Sequence, residues 1–204
     1  MSIVKDTISI TAITLVAGLA LGVVQDITAD PIAEQKMKAK QEAYKSVFPD
    51  ADRFGEVELG DKTQELAGVL SDSGYGAQTI DEVMTAFDVS DNEIGYAFTV
   101  TTSEGYGGDI QFAMGVQKDG TLNGISILSI SETAGLGMKA TEPAFKDQFK
   151  DKKVETFSYT KTGEEGDDKI DAISGATITT NAVTNAVDSA LVYFQNELGG
   201  GSNE

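Results

Sequence analysis

Hydrophobic residues without charges are concentrated near the start of the chain. Residues 7–25, TISITAITLVAGLALGVVQ, form a run of about 19 residues, close to the roughly 20 that a helix needs to cross a bilayer. Lys5 is the only basic residue before this run, and no A-x-A cleavage site of a signal peptide follows it. We therefore expect an uncleaved, single-pass transmembrane helix at 7–25, with a cytoplasmic stub at 1–6 and the remainder extracytoplasmic.

A helical pattern continues beyond the apolar run. Between residues 31 and 47, apolar positions alternate with charges at roughly helical spacing, and Pro49 follows. These features predict an amphipathic connector helix within 26–49. Residues 50–78 are polar and glycine-rich without a clear period, and residues 79–87 fit either a short helix or a strand.

From residue 93 the pattern changes to the two-residue alternation of β-strands. Segments 93–101, 110–116 and 122–130 are predicted as three strands. The glycine-rich loop SEGYGG at 103–108 joins the first two, and the turn signal Lys118-Asp119-Gly120 joins the last two. Together these segments predict an antiparallel meander.

Three more elements are predicted in the C-terminal part. Residues 141–150 fit a short helix, with Thr141 as its cap and Pro143 in its first turn. A strand is expected at 154–159. The last helix is expected at 177–198, where apolar residues recur at i, i+4 and i+8 along one face.

The predicted fold class is α+β, an antiparallel sheet with packed helices plus one N-terminal transmembrane helix. This sheet domain is expected to cover 50–198, and the glycine-rich segment 199–204 is expected to be a flexible tail.

Composition narrows the possible chemistry. The chain of 204 residues contains no cysteine and no histidine, which excludes iron–sulfur clusters, thiolate zinc sites and the usual haem ligand. Redox chemistry in such a chain must therefore come from an organic cofactor. The net charge of −18 argues against binding to nucleic acid or to anionic lipid through a basic patch.

The densest candidate site is the segment DAISGATITT at residues 171–180, just before and within the last helix. Ser174 or Thr177 would be a natural N-cap, and the free N–H groups and helix dipole there suit a phosphate. Gly175 and Ala176 would let a ligand approach the backbone closely. On physical grounds alone, this segment is either an anion site or an ordinary capped helix.

The heptapeptide from Asp171 to Thr177 resembles the covalent flavinylation motif D-x-x-[S/T]-G-A-T. That motif belongs to the FMN-binding domains of the Rnf and Na⁺-translocating NADH:quinone reductase complexes. The resemblance implies that Thr177 carries flavin mononucleotide (FMN) through a phosphoester. It also implies a separate flavin transferase that uses FAD and Mg²⁺, with Asp171 as the motif acid.

A second segment, ETAGLG at 132–137, resembles the family's E-T-P-G-L-G loop near the flavin ring. Ala134 replaces the usual proline, and Ile130 stands where many relatives have histidine. The loop at 105–108 also resembles the family. The resemblance assigns cofactor contacts to Ser174, Gly175, Ala176, Glu132, Thr133, Gly135, Leu136 and Gly137.

The same loop contains a competing pattern. Residues 135–140, GLGMKA, fit the dinucleotide-binding pattern G-x-G-x-x-A, and Glu155 follows about 20 residues later. A dinucleotide fold requires repeated βαβ units and a parallel sheet, whereas the segments just upstream predict antiparallel hairpins. We therefore do not expect a dinucleotide site.

In size and layout, the chain resembles the G subunit of Rnf complexes. The resemblance implies a covalent-FMN electron-relay subunit, without a complete active site of its own, in a cell-membrane ferredoxin:NAD⁺ oxidoreductase that couples electron transfer to Na⁺ or H⁺ transport. Its partners would be the other Rnf subunits (A, B, C, D and E). The alternatives are the C subunit of Na⁺-translocating NADH:quinone reductase, a membrane-anchored FMN sensor or regulator, and a flavin-free interaction domain.

Overall fold

The computed structural model describes residues 3–57 and 68–199. The chain divides into two compact units, Met1–Gln41 and Glu42–Glu204. Part of the stretch 50–78, for which the sequence predicted no structure, lies outside the described residues.

Helix α1, Ile3–Val47, contains the predicted span and the predicted connector as one element. Its N-terminal part is long and apolar enough to cross a membrane, and none of that stretch is buried against protein. Threonine hydroxyls in this part form hydrogen bonds to the backbone of the same helix. Thr11 Oγ1, for example, donates to the Thr7 carbonyl at 2.9 Å. Pro31 lies within the helix and does not end it, although proline lacks the N–H that would complete the backbone hydrogen bond at that position.

A five-stranded antiparallel sheet forms the centre of the second unit, in the order β1-β2-β3-β4-β5. Its strands are β1 Arg53–Glu56, β2 Gln78–Phe87, β3 Glu93–Thr102, β4 Ile110–Gln117 and β5 Leu122–Ser129. The antiparallel meander predicted from the alternating pattern is confirmed. The ambiguous segment at 79–87 is a strand, and β1 was missed because four residues are too few to establish a period.

Two clusters of side chains cover opposite faces of this sheet, because neighbouring residues of a strand point in opposite directions. On one face, Phe98 of β3 packs edge-on against Tyr193, with ring centroids 5.9 Å apart. On the other face, Tyr44 and Phe48, from the end of α1 and just after it, pack over small residues of the sheet that include Ala97. The sheet therefore has a helix-covered face and a face closed by the end of α1.

The segment between β5 and the last helix begins with short helical turns. A 3₁₀ turn at Gly137–Thr141 precedes helix α2, Pro143–Lys146, and a second 3₁₀ turn at Asp147–Phe149. The prediction that Thr141 caps this helix is wrong. Glu142 occupies the N-cap position, and the Thr141 hydroxyl donates to the Met138 carbonyl at 2.8 Å inside the preceding turn.

Two short strands follow, β6 Ser158–Thr160 and β7 Lys169–Asp171, and they pair in parallel. The strand predicted at 154–159 starts too early, and β7 was not predicted. Helix α3, Thr177–Tyr193, continues into a π-helical turn at Phe194–Leu198. The predicted apolar stripe of this helix is confirmed as buried, at Ala182, Val183, Ala186, Val187, Ala190, Leu191 and Phe194.

Candidate functional site

The turn before α3 is held by a residue that the sequence did not single out. The Thr180 hydroxyl accepts a hydrogen bond from the Ile173 N–H and donates to the Ala176 carbonyl, both at 3.0 Å. Ala176 is the N-cap residue, and its side chain forms no capping bond. The prediction that Ser174 or Thr177 caps α3 is therefore wrong, because the Thr180 hydroxyl reaches back to Ile173 and Ala176 and fixes the entry of the chain.

Thr177 is the first residue of α3, and its hydroxyl is not used in hydrogen bonds of the turn. Its hydroxyl has no hydrogen-bond partner within 3–57 and 68–199, and the side chain is only partly buried. Thr180 is fully buried and engaged, and Thr179 is buried as well. The first N–H groups of a helix have no intrahelical acceptor, so Thr177 presents its hydroxyl at the positive end of the helix dipole.

A cleft of about 580 Å³ opens beside the start of α3, within the usual size range for small-molecule sites. Three segments that are distant in sequence form its walls: the loop after β3, the ETAGLG segment after β5, and the first residues of α3 with the turn before it. The lining residues are Tyr106, Glu132, Thr133, Leu136, Gly137, Gly175, Ala176, Thr177, Ile178 and Thr179.

Two glycines make the approach of these segments possible. A Cβ atom on Gly137 would lie 2.5 Å from Glu132 Oε2 and 2.6 Å from Thr179 Oγ1, so only glycine fits there without displacing a neighbour. Gly175 has a φ of +79°, a left-handed conformation that favours glycine, and a Cβ there would lie 3.0 Å from Leu136. The ETAGLG segment and the SGAT turn are thus shaped to pack against each other.

The buried carboxylate of Glu132 lies where the ETAGLG segment meets the loop after β3. Its Oε1 accepts the backbone N–H of Gly107 at 3.2 Å. The other end of that loop is held by Glu104, whose Oε2 accepts from Gln78 Nε2 and from Asn185 Nδ2, each at 2.8 Å. The loop is therefore fixed at both ends by carboxylates.

Most residues implicated by the family resemblance meet at this cleft. Those that line it are Glu132, Thr133, Leu136, Gly137, Gly175, Ala176 and Thr177. Asp171, Ser174 and Gly135 do not line it. Asp171 is exposed at the end of β7, where its backbone is bonded to the Gln148 side chain, and it borders a separate acidic depression.

Three lining residues were missed as site residues: Tyr106, Ile178 and Thr179. Tyr106 is the one aromatic residue in the SEGYGG loop, a signal that could have suggested a ligand contact. Ile178 and Thr179 directly follow Thr177, but nothing in the sequence shows which side chains of the first turn of α3 face the cleft.

The residues of the cleft fit a flavin nucleotide better than they fit a metal or a dinucleotide. A hydroxyl and free amides at a helix N-terminus suit a phosphate, and the apolar side chains of Leu136 and Ile178 suit a flat ring. No group of His, Cys, Asp and Glu able to hold a metal occurs among the described residues. The segment at 135–140 leads into a 3₁₀ turn after an antiparallel sheet, unlike a dinucleotide-binding unit.

Comparison with known proteins gives consistent matches. A family model for the FMN-binding domain matches residues 105–192. The G subunit of the Na⁺-translocating ferredoxin:NAD⁺ oxidoreductase complex of Acetobacterium woodii is 33% identical over 188 residues, covering 90% of this chain and 87% of that protein. The G subunit of the proton-translocating ferredoxin:NAD⁺ oxidoreductase complex of Clostridium ljungdahlii is 32% identical over 203 residues, covering 96% and 97%. The crystal structure of the C subunit of Na⁺-translocating NADH-quinone reductase from Parabacteroides distasonis shares 24% identity and a TM-score of 0.49, covering 71% of this chain and 76% of that one.

Proposed function

Because the chain belongs to the G-subunit family of ion-translocating ferredoxin:NAD⁺ oxidoreductase complexes, we propose that it carries FMN covalently on Thr177 as an electron-relay subunit. The FMN-binding domain match covers the sheet strands β4 and β5, the ETAGLG segment and most of α3. The family match supports FMN binding. The attachment residue, the covalent phosphoester bond and the orientation in the membrane are proposed in addition.

One observation carries the attachment site: the Thr177 hydroxyl lies at the N-terminus of a 17-residue helix, on a cleft large enough for a flavin. A phosphate on this hydroxyl would lie near unpaired helix amides, which stabilise negative charge. The nearby hydroxyls are less suited, because Thr180 is engaged in the turn and Thr179 is buried.

Bound FMN supplies the electron-carrying chemistry, and the residues of this chain supply its position. Thr177 would hold the phosphate end, and Thr133, Leu136 and Gly137 would contact the ring from the ETAGLG segment, with the buried Glu132 bonded to the loop after β3. The chain contains no cysteine or histidine to ligate an iron–sulfur cluster or a haem. The covalent bond would keep the cofactor from being lost by dilution outside the cytoplasm and would fix its distance from neighbouring carriers.

Attachment requires no activating base within this chain if a separate flavin transferase performs it. In that reaction the Thr177 oxygen would bond to the FMN phosphorus of FAD, AMP would leave, and the hydroxyl proton would be released; Mg²⁺ would supply neutralising charge. Asp171 is exposed and close in sequence to Thr177, so we assign it to recognition by the transferase rather than to contact with the flavin.

The membrane layout follows from α1. Residues 7–25 would span the bilayer, and the unit Glu42–Glu204 would be extracytoplasmic. The partners would be the other subunits of the complex (A, B, C, D and E). Two relatives with nearly the same sequence identity to this chain are named as subunits of a Na⁺-translocating and of a proton-translocating complex. The proposal therefore covers either ion.

The absence of native cysteines provides a direct test of this orientation. Val89→Cys, at a position 84% exposed, should react in whole cells with a maleimide that does not cross membranes. Ser2→Cys, placed before the span, should react only after the cells are opened. The reverse pattern would refute the orientation, and copurification with the other subunits separates a relay subunit from a membrane-anchored flavin sensor.

Covalent attachment is tested on the full chain produced with a flavin transferase. Fluorescence of the denatured chain in a gel, together with intact mass, should show one adduct of FMN size. Thr177→Ala should lose it, whereas Thr179→Ala, outside the motif, should keep it. An unmodified wild-type chain, or an adduct that persists in Thr177→Ala, would overturn the proposal.

A further inference from the structure

Exposed hydrophobic side chains in the folded domain are concentrated around one cleft. Among the described residues of Glu42–Glu204, the large hydrophobic side chains that remain exposed are Val89, Tyr106, Leu136, Tyr159 and Ile178. Three of the five, Tyr106, Leu136 and Ile178, line the cleft beside α3, with 72%, 41% and 54% of their surface exposed. Apolar surface gathered at a cleft indicates a ligand that covers it.

Tyr106 is exposed on a loop that is otherwise held firmly in place. Gly107, directly after it, donates its N–H to Glu132, and its backbone runs so close to the next segment that a Cβ would lie 2.2 Å from the Ser131 carbonyl oxygen. A Cβ on Gly105, directly before it, would lie 2.2 Å from the Gly108 carbonyl oxygen. The fold thus uses two glycines and a buried carboxylate to hold the residue between them.

The fold itself gains little from this ring. Tyr44 and Tyr193 are buried, and Tyr75 and Tyr96 pack against the core. The Tyr106 hydroxyl forms no hydrogen bond within the part of the chain that the structure describes. A rigidly placed aromatic ring at the edge of a cleft is suited to covering a flat aromatic ligand, because it has few rotamers to lose on binding.

We propose that Tyr106 is a flavin-contacting residue whose ring covers the isoalloxazine, and that Glu132 is the positioning residue that holds Tyr106 there. This inference rests on the proposed binding of FMN in the same cleft. Tyr106 comes from the loop after β3, and Leu136 and Ile178 come from the other two segments of the wall. The three segments together would shield the ring from solvent, with Thr177 holding the phosphate.

The test uses the full chain carrying FMN and measures how easily acrylamide, an uncharged quencher, reaches the native flavin. The quantity compared is the bimolecular quenching constant, the Stern–Volmer slope divided by the unquenched lifetime, and Tyr106→Leu should raise it because acrylamide then reaches the uncovered ring. Tyr106→Phe should keep the wild-type value, because the ring remains. Tyr159→Leu, at an exposed tyrosine on β6 away from the cleft lining, is the matched control and should also be unchanged.

Glu132 is tested by two variants in the same measurement. Glu132→Gln retains an oxygen that can accept the Gly107 N–H and should behave as wild type. Glu132→Ala should raise quenching as Tyr106→Leu does. Wild-type quenching in Tyr106→Leu, or an equal rise in Tyr159→Leu, would overturn the assignment of Tyr106. A rise of equal size in Glu132→Gln and Glu132→Ala would overturn the positioning role.

Fluorescence of the same samples after denaturation keeps the two proposals apart. It reports attachment alone and should be equal in wild type and in all these variants. If the wild-type chain itself lacks it, the proposed covalent function fails and this inference fails with it. If it is present throughout and only the quenching result is negative, the covalent function stands and the role of Tyr106 is refuted.

Discussion

Asp188, on the buried side of α3, accepts the backbone N–H of Phe157 through Oδ1 at 2.7 Å. The Tyr75 hydroxyl approaches its other oxygen at 3.5 Å. Burial raises the pKa of Asp188 to about 7, although the bonds from Phe157 and Tyr75 oppose that shift. One carboxyl group therefore ties the segment before β6 to α3, and its burial there favours the protonated form.

Stability should consequently fall as the pH rises through the range in which Asp188 ionises. Between the ordinary aspartate pKa of 3.8 and about 7, the folded chain binds more protons than the unfolded chain. Its free energy of unfolding should then decrease by up to about 1.4 kcal/mol per pH unit. Asp188→Asn should remove most of this slope, as measured by urea denaturation followed by circular dichroism. Asp50→Asn, at an exposed position, should leave it intact, and an unchanged slope in Asp188→Asn would contradict the assignment.

Thr177 and Thr180 should respond differently to loss of the hydroxyl. In chains produced without flavin attachment, Thr180→Ala should lower the free energy of unfolding by about 1–3 kcal/mol, because the buried Ile173 N–H loses its acceptor. Thr177→Ala should change it by less than about 0.5 kcal/mol. Urea denaturation of the two variants side by side measures this difference. Equal losses would mean that Thr177 also supports the fold.

Gly137 and Gly135 provide a second matched pair. Gly137→Ala places a methyl group against Glu132 and Thr179, and should cost about 1–3 kcal/mol through overpacking. It should also change the acrylamide quenching of the bound flavin. Gly135→Ala meets open space at a φ of +76°, so it should cost about 1–2 kcal/mol of backbone strain and leave the quenching unchanged. Identical quenching in the two variants would argue against the shape assigned to the cleft.

Tyr44 should be a strong anchor for the end of α1. Its hydroxyl donates to Glu82 Oε2 at 2.5 Å and lies 2.6 Å from the hydroxyl of Thr99, and burial is the main cause that raises its pKa. Tyr44→Phe should lower the free energy of unfolding by about 1–3 kcal/mol, because buried polar groups lose a partner. Tyr159→Phe, at an exposed position, should cost less than about 0.5 kcal/mol. Thermal and urea unfolding of both variants provide the comparison.

The sequence predicted elements whose pattern extends over several residues. Strands β3, β4 and β5 each carry an alternating pattern long enough to recognise, and α3 repeats its apolar stripe over several turns. Strands β1 and β7 contain four and three residues, too few for any period, and they exist because they pair with β2 and β6.

Site residues that belong to a contiguous sequence motif could be predicted. Site residues whose positions depend on tertiary contacts could not. The ETAGLG segment and the SGAT turn were identified from their amino-acid sequences, and residues of both line one cleft in the structure. The hydroxyl that fixes the start of α3 belongs to Thr180, which a local capping rule overlooks because the bond reaches back seven residues. The placement of Tyr106 depends on a carboxylate 25 positions beyond Gly107, so the sequence alone could not reveal it.

The hydrogen bond from Ile173 to Thr180 also bears on the order of events in the life of this protein. The turn before α3 is closed by Thr180 and not by Thr177, the residue proposed for modification. If the proposed attachment is correct, the domain would therefore not need the flavin in order to fold. Attachment would then act on an already folded domain, and a chain without flavin would keep the same fold.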